Sequence, residues 1–346
     1  MNDNVFVTGN EAAVMAAVDA GAKVMFGYPI TPATEILQGW IEKTLSDKKL
    51  LYLQTEDEIA AGFGVVGACL AGEKAFTASA GPGHILLQDP ISMCENMRIP
   101  FVGIMMQRGG PSTGTVNFSQ QEVNLAAFGG NGDGLRVVYS ASSVEEMYDL
   151  TIKAFSTAWK YFFPTFVLGD GYLGKMKTRA YIKRHLNPVR PTPMLSENGT
   201  PTYIRNCYSS ESQLGETLKK NIADWDKARD KIVESESINC GGARYLIISH
   251  GLVASAAKEA VSIMRKNGIK IGLFRPITLN PFDSKALLKA VKGVKHVFII
   301  ESSLNQLSRI VKYEMSGISV KISEISKPAE GFVLEEIIEE VRKNNE

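Results

Sequence analysis

Glu56–Gly67, EDEIAAGFGVVG, decides how the rest of this chain is read. Ile59, Phe63, Val66 and Leu70 recur at helical spacing, so the stretch is an acid-headed helix with one apolar stripe. The remaining surface is Ala60, Ala61, Gly62, Gly64, Gly67 and Ala68. A glycine inside a helix costs roughly 1 kcal/mol relative to alanine, so three of them call for a close approach by another backbone or a flat ligand. Glu58 falls in the first turn beside surroundings able to exclude water. A carboxyl group there tends to have a raised pKa and can share a proton with a heterocycle nitrogen. Glu56 or Asp57 is the better reading for an acid that only answers the helix dipole.

Composition narrows the field. The chain has 346 residues, 45% hydrophobic and 22% charged, with a formal net charge of +1. This is ordinary globular usage for one or two domains, and the balanced charge argues against nucleic acid or an anionic membrane as main partner. Apolar runs such as Phe101–Met106 and Val297–Ile300 have strand length, far short of a bilayer span. The start, MNDNVFVTGNEAAV, has no basic head followed by an apolar core, so no secretory signal is expected and the expected location is the cytoplasm. Cys69, Cys94, Cys207 and Cys240 are scattered and form no CxxC pair, which gives this chain no iron–sulfur or structural zinc motif. Cys69 and Cys94 read as buried thiols, and the four histidines as structural or surface residues.

Strand and helix signals alternate through the first half. Strands are expected at Lys23–Gly27, Leu50–Thr55, Lys74–Ser79, Phe101–Gln107, Arg136–Ser140 and Thr165–Gly169. Helices are expected at Pro32–Ser46, at the acid-headed stretch, at Gly83–Met97 and at Ser143–Tyr161. A long turn-rich loop follows Gln107. This alternation predicts a mostly parallel sheet covered on both faces. From Lys175 to Asn239 no strand-like apolar run appears, and a polar, charged helical stretch follows a proline-containing one; the interval reads as an extended connection packed on a neighbour. A second block begins at Ala243, with strands Tyr245–Ser249, Lys270–Leu273, Val297–Ile300 and Val320–Ile322. Its helices are Ala254–Lys266, Ser284–Val291, Leu304–Met315 and Leu334–Lys343. The expected division is a first domain over 1–190, a connection over 191–240 and a smaller α/β domain over 241–346.

Ligands of open parallel sheets bind beyond the carboxyl ends of the strands. Four unusual segments fall there: Gly27-Tyr28-Pro29-Ile30-Thr31-Pro32, Gln54-Thr55-Glu56-Asp57-Glu58, Ala80-Gly81-Pro82-Gly83 and Arg108-Gly109-Gly110-Pro111-Ser112-Thr113-Gly114. Arg108 offers a planar fork suited to a substrate carboxylate. Thr31, flanked by Pro29 and Pro32, offers a hydroxyl with little entropy to lose. Gly81 and Gly83 let backbone amides approach a ligand. Singly each has an ordinary structural reading, a turn or a surface ion pair; their convergence on one rim points to function.

At these residues the chain resembles the alpha subunits of 2-oxoacid:ferredoxin oxidoreductases, closest to the 2-oxoglutarate and 2-oxoisovalerate types. The resemblance runs from Thr8–Ile36 (TGNEAAVMAAVDAGAKVMFGYPITPATEI) through QTEDEIAAGFGVVGA, TASAGPG and QRGGPSTG, then Ser142–Phe155, Gly169–Met176, Leu273–Phe282 and Ile299–Leu307. YPITP and RGGPSTG together make it specific. Ala80 stands where the family commonly has serine, and Ser303 where it often has asparagine. The resemblance implies a doubly wound domain that holds the aminopyrimidine of thiamine diphosphate, followed by a domain like the transketolase C-terminal one. It further implies that Glu58 hydrogen-bonds the pyrimidine nitrogen, that Tyr28, Pro29, Ile30, Gly81 and Gly83 contact the cofactor, and that Arg108 and Thr31 bind substrate. The implied reaction is oxidative decarboxylation of a 2-oxoacid, with the acyl group passed to coenzyme A and electrons to ferredoxin. A beta subunit would hold magnesium and the diphosphate; gamma and ferredoxin-like delta subunits would complete the enzyme, with the iron–sulfur clusters on subunits other than this one.

Gly169-Asp170-Gly171 with Asn198 imitates the GDG…N signature for magnesium and diphosphate. The interval is basic and proline-containing rather than a helix and strand, and Gly132-Asp133-Gly134 has no asparagine in range, so no metal site is assigned to this chain. Two alternatives stay open: a self-contained transketolase-like enzyme, which would bind the cofactor tightly without a partner, and a non-catalytic scaffold relative, against which Glu58, Arg108 and Thr31 speak together. RGGPSTG leans toward 2-oxoglutarate and GDGYLGKM toward the branched-chain substrate.

Overall fold

The computed structural model describes residues 2–184, 188–197 and 200–344. The chain opens with β1 (Asn2–Val7) and α1 (Gly9–Asp19). Thr8 starts α1 with a reciprocal cap: its hydroxyl accepts from the Glu11 amide, and the Glu11 carboxylate accepts from the Thr8 amide at 2.7 Å. There follow β2 (Val24–Gly27), α2 (Thr34–Ser46), β3 (Leu51–Gln54), α3 (Glu58–Leu70), β4 (Ala75–Ser79), α4 (Pro82–Leu86), α5 (Gln88–Met97), β5 (Val102–Gln107), α6 (Val123–Phe128), β6 (Val137–Ser140), α7 (Val144–Tyr161), β7 (Thr165–Asp170) and α8 (Gly171–Lys175). Between Lys23 and Asp170 the strands and helices form close to the expected limits, with two corrections; α8 beyond them was not expected. The helix expected over Gly83–Met97 is two helices that meet at Leu87, because Pro90 has no N–H to continue the ladder. The turn-rich loop after Gln107 contains the short helix α6.

The connecting interval also departs from expectation. Thr178–Lys183 forms β8, antiparallel to β1, with Asn4 opposite Tyr181 and Val5 opposite Ala180. Only Ala180 and Ile182 point inward while Arg179, Tyr181 and Lys183 are exposed, so two small alternating apolar positions were too faint a signal. A two-residue pairing of β9 (Ser196–Glu197) with β10 (Thr200–Pro201) precedes α9 (Glu211–Ile232) and β11 (Ser235–Ile238). Asn221, Trp225, Ala228 and Ile232 form the buried stripe of α9. Trp225 meets Phe163 edge-on at 5.0 Å, and Arg98, itself 3.9 Å over Phe163, donates to Asn221 and Asp224. The connection is thereby held against the first sheet's layer.

The second block supplies β12 (Tyr245–Ile248), α10 (Gly251–Lys266), β13 (Ile271–Pro276), β14 (Thr278–Asn280), α11 (Ser284–Val291), β15 (His296–Glu301), α12 (Gln306–Glu314), β16 (Lys321–Ser326) and α13 (Leu334–Lys343). Seven strands form one sheet in the order β14-β6-β7-β5-β4-β2-β3, and five form another in the order β11-β13-β12-β15-β16. Within each, all pairings are parallel except the outermost β14 and β11. Side chains of the second sheet alternate between two cores. Leu246, Ile248, Phe274, Val297 and Ile299 join the core shared with the first sheet, whereas Ile247, Leu273, Phe298 and Ile300 pack with Val253, Ala257 and Ile337 of α10 and α13. The inner strands β12, β13 and β15 are buried on both faces, which explains why they read as apolar runs, whereas the outer β11 and β16 are half-buried or exposed.

Two further links join the blocks. β14 pairs with β6, Thr278 opposite Tyr139. Arg275 makes a bidentate pair with Glu146 of α7 at 2.6 and 2.7 Å and also reaches Glu236 at 3.1 Å. The small residues of α3 have a packing reason: a methyl group on Gly62 would lie 2.3 Å from Pro90, and one on Gly64 2.3 Å from Phe26. The close neighbours are therefore α5 and β2. Gly67 faces open space.

Candidate active site

β5, β4, β2 and β3 are successive neighbours in the first sheet, so the loops at their carboxyl ends lie side by side. Asp57 caps α3, its carboxylate accepting from the Ala60 amide at 2.8 Å, and this makes Glu58 the first helical residue. Glu58 is only 4% exposed. A methyl group on Gly83 would lie 2.0 Å from Glu58 Oε1 and 2.3 Å from Ser79 Oγ, so the carboxyl rests directly on the Gly83 Cα with the Ser79 hydroxyl beside it. Neither Glu58 Oε1 nor Ser79 Oγ has a hydrogen-bond partner. Burial pushes the Glu58 carboxyl above its ordinary value, and neighbouring Asp57 adds to this; its own backbone amide, the nearby Ser79 hydroxyl and Arg108 pull the other way without cancelling it.

Arg108, 5% exposed, follows the end of β5. Its Nη1 donates to the Thr31 carbonyl at 2.8 Å, and its Nε has no acceptor. Gly81 has φ 50, the left-handed region, and a methyl group there would meet Arg108 Nε at 2.7 Å. Thr31 thus joins the cluster through its carbonyl, ahead of a cis bond to Pro32. Asn10 of α1, fully buried, fixes the same loop by donating to the Pro32 carbonyl at 2.8 Å. Tyr28 is 40% exposed, Pro29 is exposed and Ile30 half-buried on that loop. The structure therefore brings Glu58, Gly81, Gly83, Arg108 and Thr31 together and leaves Tyr28 and Pro29 on the surface.

Four contributors were not picked out from the sequence: Asn10, Ser79, His84 and Glu122. Glu122 accepts from the Gly81 amide at 2.9 Å, the Arg108 amide at 3.1 Å and, through its other oxygen, lies 2.8 Å from His84 Nδ1. Asn10 carried a signal, a polar residue on the apolar side of an alanine-rich helix; Glu122 carried none, since an acid in a polar loop reads as surface.

Asp170 of the GDG stretch caps α8, accepting from the Leu173 amide at 2.9 Å, and burial pushes its carboxyl up to about 7. Asn198 lies outside the described residues. Among the described residues no group of three or more His, Cys, Asp and Glu side chains is placed to hold a metal ion. A cavity of about 600 Å³ lies elsewhere, lined by Phe63, Ser92, Asn96, Gly132, Leu218 and Asn221 among others, and none of the rim residues contributes to it.

Residues 15–200 match the thiamine diphosphate-binding domain of pyruvate flavodoxin/ferredoxin oxidoreductases. The chain belongs to the pyruvate flavodoxin/ferredoxin oxidoreductase family. Residues 243–335 match core domain II of pyruvate:ferredoxin oxidoreductase, so both blocks of this family member are accounted for. It is 34% identical over 312 residues to the ketoisovalerate oxidoreductase subunit VorB of Methanothermobacter marburgensis, covering 88% of each chain. It is 31% identical over 348 residues to the 2-oxoglutarate synthase subunit KorA of Methanocaldococcus jannaschii, covering 92% of this chain and 93% of that one. A solved 2-oxoglutarate:ferredoxin oxidoreductase from Magnetococcus marinus, with 2-oxoglutarate, coenzyme A and succinyl-CoA bound, superposes with a TM-score of 0.84 at 26% identity. That match covers 99% of this chain and 66% of the other. A split-gene transketolase shares the fold, with a TM-score of 0.56 at 14% identity. No helix among the described residues is long and apolar enough to cross a membrane.

Proposed function

We propose that this chain is the alpha-type subunit of a 2-oxoacid:ferredoxin oxidoreductase that converts a 2-oxoacid, 2-oxoglutarate ahead of 2-oxoisovalerate, to an acyl-CoA and passes the electrons to ferredoxin. One observation carries the reading. Glu58 Oε1, Ser79 Oγ and Arg108 Nε all lack partners although shielded from solvent, and all three border the Gly81–Gly83 turn inside the thiamine diphosphate-binding domain. Buried polar groups are ordinarily hydrogen-bonded, so three exceptions around one turn fit a ligand rather than the fold. The names of the relatives support the substrate class and a multi-subunit enzyme.

The donors on this rim suit an aminopyrimidine ring. In the bound state thiamine diphosphate supplies the electron sink needed to cleave the bond between a carboxylate and a carbonyl carbon. Glu58, its carboxyl raised above the ordinary range by burial, would be the residue to hydrogen-bond the ring nitrogen and exchange a proton with it. Gly81 and Gly83 let Arg108 and Glu58 lie directly against the turn that would border the ring, with Tyr28, Pro29 and Ile30 on the adjoining loop. Arg108 orients the substrate carboxylate, and the Thr31 hydroxyl serves the carbonyl side. A partner beta subunit completes the crevice and carries magnesium and the diphosphate; iron–sulfur clusters sit on other subunits, gamma and delta-like chains among them. The chain divides functionally into 1–190, 191–240 and 241–346, and the complex works in the cytoplasm.

The test is purification of the chain with its native partner subunits, followed by assay against a panel of 2-oxoacids with coenzyme A and ferredoxin. The highest kcat/KM is expected with 2-oxoglutarate. A preference for 2-oxoisovalerate would overturn the substrate assignment, and no turnover with any 2-oxoacid would overturn the function.

A further inference from the structure

We propose that Glu122 is a positioning residue that sets the cofactor turn and the substrate arginine as one unit. The inference rests on the function proposed above. Glu122 is 5% exposed and lies where the loop after β5 enters α6. Its Oε1 accepts two backbone N–H groups from different strand ends, Gly81 at 2.9 Å after β4 and Arg108 at 3.1 Å after β5. Its Oε2 accepts from His84 Nδ1 at 2.8 Å, on the helix that begins at that same turn. The Glu122 amide is itself fixed by Gln107 Oε1 at 3.3 Å, and Gln107 donates to the Gly169 carbonyl at 3.2 Å on β7. One carboxylate therefore determines the spacing between the turn that carries Gly83 and the backbone that carries Arg108.

The preceding residues extend the arrangement. Gln121 Oε1 accepts from the Gly110 amide at 3.0 Å, holding the next residue of the substrate loop. Gln120 donates to the His250 carbonyl at 2.8 Å and accepts from the Ser302 amide at 2.9 Å, which ties the loop to the second sheet. Gln120-Gln121-Glu122 is thus a junction between the second domain and the rim. Only Glu122 in it holds Gly81 and Arg108 directly.

Because His84 can change tautomer, the three substitutions at this position separate cleanly. Glu122→Gln keeps an acceptor on both backbone amides if its NH₂ faces His84 Nδ1, with the ring proton moved to Nε2, an atom that has no partner now. Glu122→Ala leaves both amides without an acceptor, and a misplacement of about 1 Å at a reacting centre costs roughly a hundredfold in rate. In the assembled complex Glu122→Ala is expected to lower kcat/KM for the 2-oxoacid about a hundredfold, mainly by raising KM, and to weaken thiamine diphosphate binding at least tenfold by calorimetry. Glu122→Gln is expected to stay within about tenfold of the parent in both. Should Glu122→Ala fail to assemble, Glu122→Asp decides, because its shorter side chain withdraws from both amides and is expected to raise KM at least tenfold. Amide hydrogen exchange supplies a readout that needs no cofactor: Gly81 and Arg108 N–H groups exchange at least tenfold faster in the alanine or aspartate variant than in the glutamine one. Equal exchange together with unchanged KM and cofactor affinity would overturn the proposal. A parent complex that binds no thiamine diphosphate would overturn the function proposed above, and the exchange rates would still decide the role of Glu122.

Discussion

Gly83→Ala probes the rim with a single methyl group. That methyl would lie 2.0 Å from Glu58 Oε1, 2.3 Å from Ser79 Oγ and 2.5 Å from Glu58 Cδ, where real contacts do not fall below 3.0 Å. The carboxyl must retreat by about 1 Å, an overpacking that costs roughly 1–3 kcal/mol. Gly83 is helical and has no positive φ, so alanine returns about 1 kcal/mol of helix propensity and the net loss of stability is about 0–2 kcal/mol. Displacing Glu58, the proposed catalytic acid, by about 1 Å is expected to cost roughly a hundredfold in kcat/KM. The assay is 2-oxoacid-dependent ferredoxin reduction by the complex, beside a thermal melt of the same sample. A variant with kcat/KM within threefold of the parent would refute the reasoning, because Glu58 would then not need the place in which it is found.

Other expectations concern the fold. Glu95→Ala leaves Arg136 buried without its bidentate partner, though Gln88 and the Gly129 carbonyl remain at 2.8 Å, so unfolding stability in denaturant should fall by about 3 kcal/mol; a fall below about 1 kcal/mol would contradict this. Asp170 has its pKa raised to about 7 by burial, so the stability it contributes is present below the ordinary carboxylate range and lost as pH rises toward 7. Asp170→Asn stays neutral and can still cap α8. Its stability relative to the parent should therefore climb between about pH 4 and 7 and level off above, by at most about 4 kcal/mol. A difference that stays flat across urea melts at pH 5, 6, 7 and 8 would dispose of that assignment.

The first sheet was legible because β4, β5, β6 and β7 are buried along their whole length and bounded by Gly and Pro turns, while β3, exposed throughout, still shows the apolar run Leu51-Tyr52-Leu53. β8 was not, because its inward positions are only Ala180 and Ile182. β14 was equally hidden: three residues, Thr278–Asn280, leave the second block to pair with β6, and no local pattern announces a partner so far along the chain. At the site, Glu58, Gly81, Gly83, Arg108 and Thr31 could be placed because each sits at a strand end with unusual local chemistry. Glu122 could not, since its role depends on Gly81 and Arg108 being neighbours in space. The three helical glycines were read as marks of close approach by a backbone or a flat ligand, whereas Gly62 and Gly64 meet the side chains of Pro90 and Phe26 and Gly67 faces open space.

The most direct test is Glu58→Gln in the assembled complex, with ferredoxin reduction followed under saturating 2-oxoacid, coenzyme A and thiamine diphosphate. The amide fills the same space but cannot exchange a proton with the ring nitrogen, so turnover is expected to fall at least a hundredfold while the melting temperature stays level or rises. Turnover close to that of the parent would contradict the account.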